Sequence, residues 1–248
     1  MAQSILITGA SSGIGEALAL EYAAPGVGLA PGGRDAARLE GVARACRARG
    51  AEVVFHVGDV CDRAGMKAWI EAVDDCRPLD LMIANAGIDA TDADPAERTY
   101  AVFAVNVDGV FHTVLPALAR MRARGRGQIA IMSSLAAWLG LAGSVDYTAS
   151  KAAVRVWGEA LRRRHADEGI RVSVICPGFV TSRMTAGNRF RMPLLWPAER
   201  AARVIRRRLA RNRGLITFPW PLRLAVYVGT LLPQRLVDLL TARLPRKV

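Results

Sequence analysis

Short apolar runs that alternate with helical stretches constrain this chain more than any other feature. "SILIT" at 4 to 8, "EVVFHV" at 52 to 57, "LDLMIAN" at 79 to 85, "QIAIMS" at 128 to 133 and "RVSVIC" at 171 to 176 have the length and composition of strands. They are nearly continuous rather than alternating, which suits strands covered on both faces, and strands separated by helices imply parallel βαβ units. The expectation is an α/β fold: a single doubly wound, Rossmann-like parallel sheet with helices on both faces. The alternation also requires a second strand within "GVGLAPGGRD" at 26 to 35. Pro31 cannot donate to a ladder and glycines surround it, so this strand is expected to be short and to end near residue 30.

At 248 residues the chain suits one undivided domain. Its 52% hydrophobic and 23% charged content excludes a disordered polymer. The net charge of +12 is unevenly placed: Arg200 to Val248 carries twelve Arg and Lys against the single acid Asp238, so the rest is close to neutral. Only three of the 34 basic residues are lysine, and no nucleic-acid motif accompanies them, which argues against a nucleic-acid partner. Cys46, Cys61, Cys76 and Cys176 are far apart with no C-x-x-C, and they read as buried, reduced thiols in a cytosolic protein with no metal site. The N-terminal "MAQSILITGASSGIG" has no basic region before its apolar run and reads as a strand rather than a signal peptide. The expected location is cytoplasmic.

"TGASSGIG" at 8 to 15 follows the first strand and opens a helix expected to begin near Ile14. Gly9, Gly13 and Gly15, with Ser11, Ser12 and Ile14 between them, allow a tight turn and close approach of a pyrophosphate to the N–H groups at a helix start. The spacing is G-x-x-x-G-x-G, and no Lys-Ser or Lys-Thr follows, so a P-loop is excluded. At the end of the second strand an acid would accept from a free ribose 2′-hydroxyl, whereas an arginine accommodates a 2′-phosphate. Gly33 and Arg34 stand there, which favours NADP(H); Asp35 next door pulls the other way, and Arg34 as a solvated helix-start residue is the alternative. Asp59 and Val60, then Asn85, Ala86 and Gly87, also fall at carboxyl ends of strands, where open α/β sheets bind ligands.

"DYTASKAAV" at 146 to 154 places Tyr147 and Lys151 one helical turn apart, on one face. A phenol has a reference pKa of about 10, and a fixed ammonium nearby favours its ionised form. Ser134 adds a rotatable hydroxyl suited to stabilising alkoxide charge. Taken together, "TGASSGIG" at 8, "NAG" at 85, Asn106 in "VNVDG", Ser134 in "MSS", Tyr147 and Lys151 in "YTASK", and "PGFVTS" at 177 make the chain resemble the short-chain dehydrogenase/reductase family over residues 4 to 182. The resemblance implies that Tyr147 is the proton donor or acceptor, and that Lys151 holds the nicotinamide ribose and lowers the phenol's pKa. It further implies that Ser134, not Ser133, meets the substrate oxygen, and that Asn106 supports a proton relay through water. Pro177, Gly178, Val180 and Thr181 match the segment holding the carboxamide end of the cofactor. The implied activity is NADP(H)-dependent reduction of a ketone or aldehyde, or the reverse oxidation, by a homodimer or homotetramer joined through the helices carrying Asn106 and Tyr147. A nucleotide-binding regulatory protein without turnover is the rival reading.

The resemblance ends where the chain becomes unusual. Residues 183–200 occupy the place of a substrate lid, and Met184, Phe190, Met192, Leu194, Leu195 and Trp196 make it apolar. With Trp138 and Leu139 they either favour an apolar or aromatic substrate or pack on the tail. His112 reads as packing or interface. "RVIRRRLARNR" at 203 to 213 is a basic helix, and 218–248 forms an apolar and basic extension whose longest apolar run, ten residues, is short of the ~20 that span a bilayer. Leu236, Leu240 and Leu244 make an amphipathic helix of its end. The extension is expected to fold back as short helices that shelter its leucines, Trp220 and Tyr227 against the protein, with peripheral contact with a membrane surface as the rival.

Overall fold

The apolar runs pair as expected. In the computed structural model, which describes residues 3–89, 94–188 and 190–241, β1 (Ser4–Thr8), β2 (Gly28–Gly33), β3 (Glu52–Val53), β4 (His56–Val57), β5 (Leu81–Ala84), β6 (Gly127–Met132), β7 (Ile170–Pro177) and β8 (Leu215–Phe218) form one parallel sheet. Its order is β3-β2-β1-β5-β6-β7-β8, with β4 also paired to β2. The direction of winding therefore reverses between β1 and β5. The helices are α1 (Gly13–Tyr22), α2 (Ala36–Arg47), α3 (Arg63–Cys76), α4 (Pro95–Phe103), α5 (Gly109–Ala123), α6 (Val145–Arg164), α7 (Arg183–Ala186), α8 (Ala198–Ala210), α9 (Trp220–Leu231) and α10 (Gln234–Thr241).

Successive strand residues point to opposite faces, and this divides the core in two. Ile5, Ile7, Leu81 and Ile83 meet apolar residues of α1, α2 and α8. Leu6, Met82, Ala84 and Ile131 meet those of α3, α5 and α6. Each fully buried aliphatic side chain here contributes about 1.5–3 kcal/mol. The run from Pro95 to Ala123 is long and apolar enough to cross a membrane, but half of it is buried and its α5 residues belong to the second core. It is a core helix.

Two expectations about strands need correction. β2 does not end near residue 30; it continues through Pro31 to Gly33. Alternate residues of a parallel strand bond to the same neighbour. On the β1 side Gly28 N–H donates to Gln3 and the Gly32 carbonyl accepts from Ala10, while the Leu29 and Gly33 carbonyls accept from Val54 and Gly58 on the other side. Pro31 thus directs its nitrogen outward, to the place where the expected single strand at 52 to 57 is broken into β3 and β4. The missing donor falls at the gap in the edge, so no ladder bond is lost.

The cysteines and the tail also differ from expectation. Cys46 and Cys176 are buried, whereas Cys61 and Cys76 are exposed; all four are free thiols. The extension does form the short helices α9 and α10, but its outer face is not sheltered: Trp220 is 73% and Tyr227 58% exposed. Leu222 and Val226 are the side chains that dock, against Leu135, Val174 and Cys176. Leu244 lies outside the described residues.

A polar clamp joins α3 to α5 below the sheet. Asp74, 5% exposed, accepts from Leu79 N–H at 2.9 Å, Arg120 Nε at 3.0 Å and Arg124 Nη1 at 2.9 Å. Burial alone would raise its pKa, but the Leu79 N–H and the two guanidinium groups outweigh it and hold the carboxyl below its ordinary value. A carboxylate with a depressed folded pKa contributes stability at neutral pH that is lost as pH falls through that value. Asp74→Asn is therefore expected to cost about 2 kcal/mol at pH 7. The difference from the parent should shrink in urea titrations below about pH 4.

Candidate active site

The sequence-predicted residues converge on the carboxyl edge of the sheet. Gly9 follows β1, Arg34 follows β2, Asp59 and Val60 follow β4, Asn85 to Gly87 follow β5, Ser134 follows β6, and Gly178, Val180 and Thr181 follow Pro177 at the end of β7. Reversal of winding between β1 and β5 opens a crevice there, the usual ligand site of such sheets. Asn85 laces its two sides together: its Nδ2 donates to the carbonyls of Thr8 at 2.9 Å and Gly9 at 3.2 Å. Thr8 Oγ1 accepts in return from the N–H groups of Asn85 and Ala86. Gly9 sits at φ +66°, and a Cβ there would lie 2.7 Å from Ala86 Cα, so the turn requires glycine.

The start of α1 fits an anion. Its N-cap Ser12 makes no side-chain hydrogen bond, whereas Asp35 and Asp62 cap α2 and α3 with their carboxylates. Among the described residues no side chain accepts from the first-turn N–H groups of α1, which suit a phosphate, as a dinucleotide requires. Arg34 is 66% exposed and lies 3.7 Å from Asp59, which leaves its guanidinium at the rim of the crevice.

Behind the crevice lies a buried polar cluster. Where α4 runs into α5, residues Ala104–Asp108 widen into a π-helical turn that turns Asn106 inward. Asn106 is 0% exposed. Its Nδ2 donates to the Ile88 carbonyl at 2.8 Å and to Ser150 Oγ at 3.0 Å, and its Oδ1 accepts from Ile88 N–H at 2.8 Å. Gly87 packs so closely that a Cβ would reach 3.0 Å from both Asn106 Oδ1 and Lys151 Nζ. Lys151, 2% exposed, donates to the Met132 carbonyl at 3.1 Å. His112 packs with its Nδ1 2.9 Å from the Val60 carbonyl, as a packing role implies.

Ser133 and Ser134 divide their work. Ser133 Oγ is buried and donates to the Lys151 carbonyl, fixing α6 to β6. Ser134 caps the following turn at Leu135–Trp138 by accepting from Ala136 N–H, and its hydroxyl lies near enough to the Tyr147 phenol to influence its ionisation. Burial pushes the Tyr147 pKa up to about 12; Ser134 opposes this by favouring the phenolate, and the Asp89 charge adds to the rise. Burial likewise lowers Lys151 to about 8. The expectation that Lys151 draws the phenol toward neutrality is thus not met in the chain by itself: its ammonium is weakened by burial and stands 5.8 Å from the tyrosine ring.

Some participants carry no sequence signal. Asp89 acts on both Tyr147 and Lys151 through its charge. Asp146 accepts from Arg98 Nε at 3.2 Å and Thr99 Oγ1 at 2.8 Å, fastening α4 to α6 beside Tyr147. An apolar cavity of about 400 Å³ is walled by Ala136–Ala142, Val145, Thr148, Ala149 and Ala152. Trp196, expected to belong to a substrate lid, is taken up by packing: it stacks on Phe218 at 5.1 Å under Arg200 at 4.0 Å. Met184, Leu194 and Leu195 are exposed, and Arg189 lies outside the described residues.

Comparison with known proteins agrees with this arrangement. A family model described as short chain dehydrogenase matches residues 3–192. An uncharacterized oxidoreductase of Myxococcus xanthus is 36% identical over 246 residues, covering 98% of this chain and 97% of the relative. A short chain dehydrogenase from Mycobacterium paratuberculosis, solved bound to NAD, superposes with a TM-score of 0.76 at 25% identity over 87% of this chain and 96% of its own. A short-chain dehydrogenase from Sphingobium yanoikuyae, solved with NADPH, shares the fold with a TM-score of 0.81 at 22% identity over 98% of this chain and 96% of its own.

The buried ammonium has a measurable signature. Because Lys151 titrates near 8 when folded and at 10.5 when unfolded, the unfolded chain holds the extra proton between those values and stability rises with pH across them. Without cofactor, Lys151→Met is expected to be more stable than the parent by a few kcal/mol at pH 7, with the gap closing toward pH 10.5. Urea denaturation at both pH values measures it, and a pH-independent gap would show that Lys151 is not desolvated.

Proposed function

The chain belongs to the short-chain dehydrogenase family and is an NAD(P)-dependent oxidoreductase; on that premise we propose that it uses NADP(H) to interconvert an apolar or aromatic ketone or aldehyde and its alcohol. The observation that carries this reading is the gathering of Ser134, Tyr147 and the buried Lys151 at the carboxyl edge of the sheet, with Ser134 near enough to the Tyr147 phenol to influence its ionisation. A nucleotide-binding protein without turnover needs no such gathering.

The turn from Gly9 to Gly15, including Ser11, Ser12, Gly13 and Ile14, would hold the pyrophosphate, and Asp59, Val60, Asn85, Ala86 and Gly87 would line the adenosine side and the middle of the crevice. Lys151 and Tyr147 would meet the nicotinamide ribose, and Pro177, Gly178, Val180 and Thr181 its carboxamide end. When bound, the nicotinamide supplies or accepts the hydride. The chain's own part is proton transfer and charge stabilisation. Tyr147, neutral because burial holds its proton, donates that proton to the carbonyl oxygen as the alkoxide forms, and Ser134 hydrogen-bonds the same oxygen. Asn106, whose side chain is fully used in holding Ile88 and Ser150, marks the wide turn from which a water chain would resupply protons through Lys151.

The apolar wall from Ala136 to Ala142 supports an apolar substrate, with residues 183–200 as its lid and 1–182 as the cofactor-binding and catalytic part. The exposed apolar residues Leu115 on α5 and Val145 and Val156 on α6 support a homodimer or homotetramer.

Tyr147→Phe is expected to leave cofactor binding nearly intact and lower turnover by ~10² or more, measured as NADPH oxidation against ketones and aldehydes of graded chain length. Retained turnover would end the assignment. Arg34→Ala is expected to weaken NADP(H) binding by ~1.5 to 3 kcal/mol while leaving NAD(H) nearly unchanged. Equal losses in calorimetric titrations with the two cofactors would make Arg34 a surface residue.

A further inference from the structure

Helix α9 is apolar on two faces, and the protein covers one of them. Leu222, Val226 and Gly229, at i, i+4 and i+7, form the inner face: Leu222 and Val226 pack beside Trp138 on Leu135, Val174 and Cys176, and a Cβ at Gly229 would lie 3.0 Å from Leu139. Trp220, Leu224, Tyr227, Val228 and Leu231, at i, i+4, i+7, i+8 and i+11, form a second stripe. These five are 73%, 53%, 58%, 46% and 67% exposed. Helix α10 repeats the pattern, with Leu236, Leu239 and Leu240 exposed at i, i+3 and i+4. A run of apolar residues in helical register on the outside of a protein is an interaction surface rather than incidental exposure.

Charge selects the occupant. Between Arg200 and Thr241 the chain has nine arginines and one acid, Asp238. Arg207, Arg213 and Arg223 stand near enough to Arg208 for their repulsion to help lower its pKa, after burial. Arg223 therefore links the cationic end of α8 to α9. A second copy meeting this face about a two-fold axis would set two such clusters against each other, whereas an anionic surface is complementary to it. The exposed stripe also holds Trp220 and Tyr227, whose apolar bodies and polar tips suit the boundary between acyl chains and head groups.

We infer that α9 and α10 form a peripheral docking surface for an anionic lipid bilayer, with the outer stripe entering the head-group region and the arginines around α8 and α9 meeting lipid phosphates and carboxylates. The inner face of α9 contacts Trp138 and Leu139, and Leu139 lines the 400 Å³ cavity, so the helix that meets lipid also forms the support of that wall.

Cosedimentation of the full chain with vesicles of phosphatidylcholine alone, and of phosphatidylcholine mixed with phosphatidylserine, tests this. Binding to the mixed vesicles that weakens as salt rises is expected. The triple variant Trp220→Ser, Leu224→Ser, Leu231→Ser should lower the bound fraction ~tenfold or more with an unchanged thermal transition, since all three side chains are exposed. Arg223→Gln with Arg213→Gln should weaken binding to the mixed vesicles while leaving the apolar face intact. Absence of binding to either vesicle overturns the inference. So does a triple variant that binds like the parent, or one that binds no vesicle in either form but falls from an oligomer to a smaller species by light scattering, which would assign the stripe to a second copy of the chain.

Discussion

The candidate site depends on satisfying one buried amide. Asn106 has no access to water, and each of its polar atoms must find a partner within the protein. It finds them in Ile88, on the loop leaving β5, and Ser150, on the turn of α6 between Tyr147 and Lys151. A cross-link of neutral hydrogen bonds contributes only about 1 kcal/mol apiece, but leaving such groups unpaired costs more than that. The constraint is therefore strong in one direction: any shift of α6 relative to the β5 loop strands a donor or acceptor. Ser133, donating to the Lys151 carbonyl from the end of β6, fixes the same helix from the other side.

Held this way, α6 presents a phenol and an ammonium to the crevice, and burial dominates both. It favours the neutral form of each, raising Tyr147 and lowering Lys151. A neutral phenol is ready to donate, and an ammonium already near its titration point can pass a proton without a large change in free energy. Asp89 enters this balance from the loop after β5 with no motif to announce it. The Asp74 clamp, near the amino end of β5, shows the opposite outcome, where the Leu79 N–H and the guanidinium partners outweigh burial and keep a carboxylate ionised.

The C-terminal part follows a different physical rule. Helix α8 is amphipathic in the usual way: Ala201, Ala202, Ile205 and Leu209 are buried and its arginines face outward. Helix α9 lacks that division, because its apolar residues run round more of the helix than one contact surface can cover. Docking through Leu222 and Val226 uses the narrower stripe and leaves the wider one, with its aromatic residues, outside.

The parallel sheet, the glycine turn and the set Asn106, Ser134, Tyr147 and Lys151 were legible in the sequence because each depends on short-range periodicity or on motifs in fixed order. The boundaries of β1, Ser4–Thr8, belong to that legible part. Other features were settled only by the assembled fold. The passage of β2 through Pro31 depended on which neighbour the missing N–H would face, and on where the edge strand breaks. The exposure of Cys61 and Cys76, the stacking of Trp196 on Phe218 and the direction of both pKa shifts depended on residues distant in sequence. The tail illustrates the difference most plainly. Its composition required short apolar helices, but which stripe met the protein depended on the shape of the surface formed by Leu135, Trp138, Val174 and Cys176, and burial is a property of the partners as much as of the residue.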